Sequence, residues 1–242
     1  MSVKIRRAMV LAAGKGTRMQ PLTDKLPKPL VPFMGKALID HALNRLDEAG
    51  IEEAIVNVHH FADLIEAHLE ARMASGRGPR IVISDERGLL LETGGGIKKA
   101  RPLLGDEPIL TFNSDSVWVE GWGQNLSRLM DAFDPDRMDA LLMIADAVRT
   151  IGYVGRGDFN MTADGALTRR IASTTVPYMF AGVQVIKPGF FKEGPEGAFS
   201  TNLIWDRMIE QGRLYGWRMG GTWMHVGAPD DLAEAEDFMR RL

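Results

Sequence analysis

Hydrophobic positions along the chain fall into two alternating kinds of segment. Short continuous apolar runs at Arg7–Ala12, Ala54–Val58, Arg80–Ile83, Ile109–Phe112 and Ala140–Ile144 read as buried strands. Each is too short for a helix of normal length and ends in polar or turn residues. Ala37–Ala49 and Ala62–Met73 instead space their apolar residues three and four apart, the period of an amphipathic helix, and Asn125–Phe133 reads as a further helix. Strands alternating with helices predict βαβ units, hence an α/β fold with a Rossmann-like, mostly parallel sheet flanked by helices.

After about Thr150 the pattern changes. Gly152–Asn160 and Leu167–Ile171 flank Ala163-Asp164-Gly165, a turn signal between two short strands. Phe180–Ile186 predicts another strand, and Thr201–Gln211 and Pro229–Leu242 predict helices. The second half therefore reads as a sheet extension with helical cover. One domain over residues 1–242 is expected, its two halves meeting near residue 150.

Composition narrows the chemistry. With 45% apolar and 25% charged residues over 242 positions, the chain has the make-up of a globular protein with one generous core. A net charge of -3 offers no basic face for nucleic acid, so any phosphate site must be a local concentration of Lys, Arg and backbone N–H groups. The absence of cysteine excludes disulfides, thiolate zinc sites and cysteine nucleophiles. Lys4, Arg6 and Arg7 precede an apolar run, as in a leader peptide. The run Ala8–Ala13 is too short for one, however, and enters Gly14-Lys15-Gly16 without a cleavage-like site. No apolar stretch approaches bilayer-spanning length. A cytoplasmic protein without a membrane partner is expected, and the oligomeric state stays open.

The most informative stretch is Met9-Val10-Leu11-Ala12-Ala13-Gly14-Lys15-Gly16-Thr17-Arg18, continuing through Pro21 to Pro27-Lys28-Pro29. A buried strand breaks there into a glycine-rich loop with three cations. Glycines let backbone N–H groups approach phosphate oxygens without a Cβ in the way. Arg18 adds a planar fork and Lys28 a compact charge. The stretch is neither a Walker A loop nor the dinucleotide fingerprint, whose third glycine would fall at Met19. A lone Gly-x-Gly often makes only a tight turn; Arg18 and the Pro-Lys-Pro ten residues on are what point to phosphate.

Leu11-Ala12-Ala13-Gly14-Lys15-Gly16-Thr17-Arg18-Met19, followed by Pro21-Leu22-Thr23 and Pro27-Lys28-Pro29-Leu30, resembles the signature of the sugar-1-phosphate nucleotidyltransferases. Leu91-Glu92-Thr93-Gly94-Gly95-Gly96-Ile97 and the short chain resemble the members that transfer a uridylyl group to N-acetylmuramate α-1-phosphate in cell-wall recycling. The resemblance implies the nucleotide-diphospho-sugar transferase fold, with a nucleotide-binding half over about 1–150 and a sugar-phosphate half over about 151–242. It implies that Ala12, Ala13, Gly14, Gly16, Thr17 and Arg18 wrap the triphosphate, that Lys28 contacts the phosphates, and that Thr93, Gly94 and Asn113 lie by the nucleotide. Thr93 fits equally a residue capping a helix over Gly94–Ala100.

The resemblance further implies Arg18, Lys28 and Asp115 as the catalytic set, with Asp115 holding Mg²⁺. Phe112-Asn113-Ser114-Asp115 ends an apolar strand, where ligands of open parallel sheets bind, although it also reads as an Asn/Asp turn. In Trp223-Met224-His225-Val226-Gly227-Ala228-Pro229 the chain departs from the family, which has aspartate as a second metal ligand where His225 stands. Imidazole suits Mn²⁺ or zinc better than Mg²⁺. His225 is thus a candidate ligand, or a loop residue with its own hydrogen bond. Gly157, Asp158 and Gly182 match stretches around the sugar phosphate, while Asp158 also suits a hairpin turn. No Glu-Lys-Pro element appears between Ile171 and Phe180, which argues against glucose or mannose.

The expected partners are an NTP and a sugar 1-phosphate. Guanylyl transfer to mannose 1-phosphate, uridylyl or thymidylyl transfer to glucose 1-phosphate, and a regulator without turnover are the alternatives. His59 and His60 are adjacent and should face apart, so they do not form a metal pair. Trp118, Trp122, Trp205, Trp217 and Trp223 read as packing residues.

Overall fold

Strand β1 (Arg7–Leu11) lies in the middle of the sheet, with Ala8, Met9 and Val10 fully buried. The computed structural model describes residues 3–242, so the first two residues of the expected domain lie outside it. A small ribbon of β2 (Pro32–Phe33) and β3 (Lys36–Ala37) precedes α1 (Leu38–Glu48). Then come β4 (Glu53–Val58), α2 (Ala62–Ala74), β5 (Arg80–Asp85), α3 (Glu92–Leu104), β6 (Ile109–Asn113), β7 (Val117–Val119), α4 (Asn125–Asp131) and β8 (Ala140–Asp146). The later part supplies β9 (Phe159–Met161), β10 (Leu167–Arg169), β11 (Tyr178–Ile186), α5 (Asn202–Glu210), β12 (Leu214–Arg218), β13 (Thr222–Met224) and α6 (Pro229–Arg240).

Among the described residues the main sheet has nine strands, running β10-β9-β11-β6-β1-β4-β5, with β8 on β11 and β12 on β8. Strands β6, β1, β4 and β5 are parallel; β11 is antiparallel to both β6 and β8. From β1 the chain steps outward to β4 and β5, then returns to place β6 on the other flank of β1. That reversal opens a crevice beyond the carboxyl ends of β1 and β6, where open α/β sheets bind ligands.

Alternation along β1 explains the two core layers. Ala8 and Val10 pack with Ile39, Leu43, Ile65 and Leu69 of α1 and α2, while Met9 packs with Ile97, Ala100 and Leu104 of α3. Burying a side chain the size of Val10 or Met9 is worth about 1.5–3 kcal/mol.

The structure corrects several sequence expectations. Within Gly152–Asn160 only Phe159 and Asn160 are strand; Gly152–Asp158 is loop. Strands β7, β12 and β13 arise where no strand was expected, each short or paired away from the parallel core. Helix α3 runs through Gly94-Gly95-Gly96, a stretch whose low helix propensity is overridden by close packing. Trp118, Trp205 and Trp223 are buried as expected, but Trp122 is 93% exposed.

Candidate active site

The loop after β1 is held from below by a buried side-chain network. Ala12 N–H donates to Asn57 Oδ1 at 2.7 Å, and Asn57 Nδ2 donates to Glu86 Oε1 at 2.8 Å. Glu86 Oε2 also accepts from Leu91 N–H at 3.2 Å. One amide thus ties the phosphate loop to the segment that opens α3. Burial raises the Glu86 carboxyl above its ordinary range, against the hydrogen bonds from Asn57 and Leu91 that favour the charged form.

Gly16 shows why the loop needs glycine. Its φ is +65°, and a Cβ there would lie 2.9 Å from Lys28 Cβ and 3.2 Å from Thr23 Cγ2. Thr23 Oγ1 donates to Gly16 O at 2.9 Å, locking the turn onto the following segment. The 3-10 turn Thr17–Met19 buries Met19 and leaves Thr17 and Arg18 exposed. A second short turn, Lys28–Leu30, brings Lys28 beneath the loop.

Lys28 Nζ forms an ion pair with Asp115, just past β6. Burial opposes ionisation of Asp115, but the Lys28 ammonium outweighs it and holds the carboxyl below its usual range. His225 follows β13, with its ring edge-on to Tyr153 at 6.3 Å and Nε2 3.5 Å from Asp231 Oδ2. Burial lowers the His225 pKa despite the nearby Asp231 carboxylate, with Lys28 and Arg18 adding to the lowering, so the ring is neutral at neutral pH. A Cβ at Gly227 would lie 2.1 Å from His225 Nε2, so the imidazole would have to move to admit one.

Two cavities share Leu11, Thr93, Asn113 and Ser200 and so form one continuous cleft. The first, about 470 Å³, is lined by Ala12, Ala13, Gly14, Gly16, Thr17, Arg18, Lys28, Thr93, Asn113 and Asp115 among the residues singled out from the sequence. The second, about 540 Å³, is lined by Asp158. His225 lines neither cavity, whereas Gly227 lines the first. Gly94, Gly157 and Gly182 sit behind the walls. Gly94 N–H donates to Phe199 O at 2.8 Å, and a Cβ would lie 2.5 Å from the Phe199 ring. Gly157 and Gly182 have φ of +72° and +81°, and added Cβ atoms would meet Val176 O at 2.2 Å and Ser116 Oγ at 1.7 Å.

Thr93 does not cap α3; its Oγ1 accepts from Thr201 N–H at 2.9 Å, fastening α3 to the entry of α5. Asp158 Oδ2 accepts from Phe180 N–H at 2.9 Å. His59 Nδ1 lies 2.7 Å from Glu86 O and the His60 ring packs at a tilt against Phe61, so the two rings part company as expected.

Sequence reasoning missed Asn57, Glu92, Arg169, Arg170, Asn202 and Trp205 as cleft residues. Asn57 carried a readable signal: it is the one polar residue inside the apolar run Ala54–Val58. Glu92 adopts φ +58° at the cleft, a left-handed backbone that side chains other than glycine adopt rarely.

Among the described residues no three His, Asp or Glu side chains gather around a common point. The donor set on hand is the Asp115 carboxylate, open to the cleft. One hard oxygen ligand suits Mg²⁺, which keeps several waters and fills its shell with substrate phosphate oxygens.

A glycine loop at the switch point, with an arginine, a lysine and a carboxylate around it, has the shape and charge to accept phosphate groups. In agreement, residues 7–158 match the nucleotidyl transferase family model, and the chain belongs to that family. It is 50% identical to the N-acetylmuramate alpha-1-phosphate uridylyltransferase of Caulobacter vibrioides, over 98% of both chains. The protein of the same name from Neisseria meningitidis serogroup B is 34% identical over 95% of this chain and 96% of its own. A solved structure of UDP-glucose pyrophosphorylase complexed with UDP-glucose shares the fold, with a TM-score of 0.79, 15% identity and coverage of 98% of this chain and 99% of that one. No helix among the described residues is long and apolar enough to cross a membrane.

Proposed function

We propose that the protein transfers a uridylyl group from UTP to N-acetylmuramate α-1-phosphate, releasing pyrophosphate. One observation carries this reading: a phosphate cradle with Arg18 and Lys28 opens directly into a polar cavity bearing two arginines, the two meeting at Thr93 and Asn113. The names borne by the two uridylyltransferase relatives support the choice of base and sugar. On this reading the enzyme works in the cytoplasm, in the reuse of peptidoglycan sugars.

The chemistry needs no general base. The acceptor's phosphate oxygen is already ionised at neutral pH. It attacks the α-phosphorus, a new P–O bond forms, and the bond to the bridging oxygen breaks with its electron pair leaving on pyrophosphate. Catalysis of such a step is positioning and charge neutralisation. The loop amides and the Arg18 fork hold the triphosphate. Lys28 exchanges its Asp115 contact for phosphate oxygens and offsets the charge that builds there. Asn113, at the end of β6 where the cavities join, orients the reacting groups. Mg²⁺, held by Asp115, would supply further neutralisation; Mn²⁺ is the alternative that a ligating His225 would favour.

Pyrophosphate release, measured for UTP, GTP, CTP and dTTP against the 1-phosphates of N-acetylmuramate, N-acetylglucosamine, glucose and mannose, tests the reading. The highest kcat/KM is expected for UTP with N-acetylmuramate α-1-phosphate. A best pair of GTP and mannose 1-phosphate would reassign the substrates. UTP binding without pyrophosphate release in Mg²⁺ or Mn²⁺ would make the protein a nucleotide-binding regulator.

A further inference from the structure

We infer that Arg170 holds a carboxylate carried by the sugar ring of the acceptor, and so makes the second cavity selective for acidic sugar 1-phosphates. The inference rests on the reading of the cleft as a sugar-phosphate site and adds the residue that sets its substrate class.

The two arginines on this cavity are in different states. Arg169 is engaged: Nε donates to Asp206 Oδ1 at 2.7 Å and Nη2 to Asn202 Oδ1 at 2.9 Å. Its guanidinium lies over the Phe159 and Trp205 rings at 5.0 and 5.6 Å. Arg170 is half-buried and donates only to backbone carbonyls, Nε to Gly157 O at 3.1 Å and Nη1 to Ala172 O at 3.0 Å. Those bonds fix the guanidinium plane without neutralising it, and Arg170 makes no ion pair among the described residues. Two acidic side chains share the cavity: Asp206 is paired with Arg169, and Asp158 accepts from the Phe180 N–H.

A guanidinium oriented by carbonyls and left without a carboxylate partner keeps its charge available to an anion that enters the cavity. Its fork geometry matches a planar carboxylate. Hydroxyls of a neutral hexose require no such charge. The acceptor's phosphate is accounted for elsewhere, because it must reach the α-phosphorus by Lys28 and Asp115, which line the first cavity; Arg170 lines only the second. The charge that remains unmatched is one on the sugar, and the ether-linked carboxylate of N-acetylmuramate is such a charge.

The test compares N-acetylmuramate α-1-phosphate with N-acetylglucosamine 1-phosphate, the same sugar without the carboxylate-bearing ether. For wild type, Arg170→Gln and Arg170→Lys, kcat/KM is measured for the first with saturating UTP, and the second is measured as a competitive inhibitor. Arg170→Gln is expected to lose about 10- to 100-fold in kcat/KM on the acidic acceptor, the size of a lost charge-assisted pair. Its inhibition constant for the compound without the carboxylate should stay within about threefold, a difference too small for a lost contact of that kind. Arg170→Lys should recover part of the loss, and it carries the same comparison if Arg170→Gln does not fold. Equal losses on both compounds would mean that the guanidinium grips the phosphate they share, and no loss on either that it merely ties the loop; each overturns the inference. Failure of the parent reading shows separately, as a wild-type enzyme that does not turn over the acidic acceptor.

Discussion

Removing the Asn57 amide should loosen the phosphate loop and reveal a buried charge. In Asn57→Ala, the Ala12 N–H loses its 2.7 Å acceptor and Glu86 loses its 2.8 Å donor. Asn57 and Ala12 are each 2% exposed and Glu86 is 0% exposed, so bulk water does not replace either bond freely. An orphaned buried N–H costs about 1–3 kcal/mol, and a lost hydrogen bond to a charged group about 1.5–3 kcal/mol. The two share one side chain and do not simply add, which puts the loss near 3 kcal/mol. For a chain of this length that lowers Tm by about 6–12 °C.

The sign of the pH dependence follows from Glu86. Burial already raises its folded-state pKa above the unfolded value, so the native state binds the proton more tightly and stability falls as pH rises between the two values. Without Asn57 the folded pKa rises further. The deficit of the variant should therefore be largest above both folded pKa values and shrink as pH falls and the carboxyl becomes neutral. Thermal unfolding at about pH 5 and about pH 8 measures this directly. A deficit of the same size at both pH values would refute the charge argument. A Tm within about 2 °C of wild type throughout would refute the buried-network argument as a whole.

The other expectations concern the cleft. Asp115→Asn should abolish turnover in Mg²⁺ while leaving UTP binding measurable by calorimetry; retained turnover would remove the carboxylate from the metal role. Gly16→Ala forces a left-handed alanine at about 1–2 kcal/mol and pushes on Lys28, so KM for UTP should rise with little change in Tm beyond a few degrees; unchanged kinetics would show that the loop is free to shift. His225→Asp should keep or raise turnover in Mg²⁺, because a carboxylate would stand where His225 feels the charge of Asp115 and would offer a second hard oxygen ligand; a collapse of kcat would mean that the imidazole has its own task.

How much was legible depended on whether a feature is local. The parallel core was, because β1, β4 and β6 are short, apolar and buried, β5 carries the apolar run Ile81–Ile83, and α1 has clear three- and four-residue spacing. Helix α2 was legible more weakly, since its inward row Ala62, Ile65, Leu69 ends on the buried Arg72. Strands β7, β12 and β13 were not. Val117–Val119 and Thr222–Met224 are three-residue strands that pair with each other, with Met224 also bridging Ile151, and Leu214–Arg218 is defined by its parallel partner β8. Helix α3 was obscured by its glycines. These serve approach rather than flexibility: a Cβ at Gly95 would lie 2.5 Å from Gly197 O, and one at Gly96 would lie 2.8 Å from Glu86 Oε1. A glycine chosen for what passes beside it has no signature in its own neighbourhood.

The same contrast divides the cleft. The phosphate side is made largely by backbone, and backbone shape is written in consecutive residues, so Gly14, Gly16 and Arg18 were readable as a string. The second cavity, the sugar side on the proposed function, is assembled from side chains of β10, the loop after it, β11 and α5, segments that the antiparallel extension of the sheet brings together. In sequence, Arg169 and Arg170 are neighbours of equal standing. What separates them is tertiary: Asp206, 37 positions on, neutralises the first, while the second meets only carbonyls. On the inference drawn for Arg170, specificity for the sugar would rest on a charge left unmatched by distant segments, which a residue pattern along the chain does not display. A fold that keeps its phosphate cradle and varies its extension would exchange sugars while retaining one reaction.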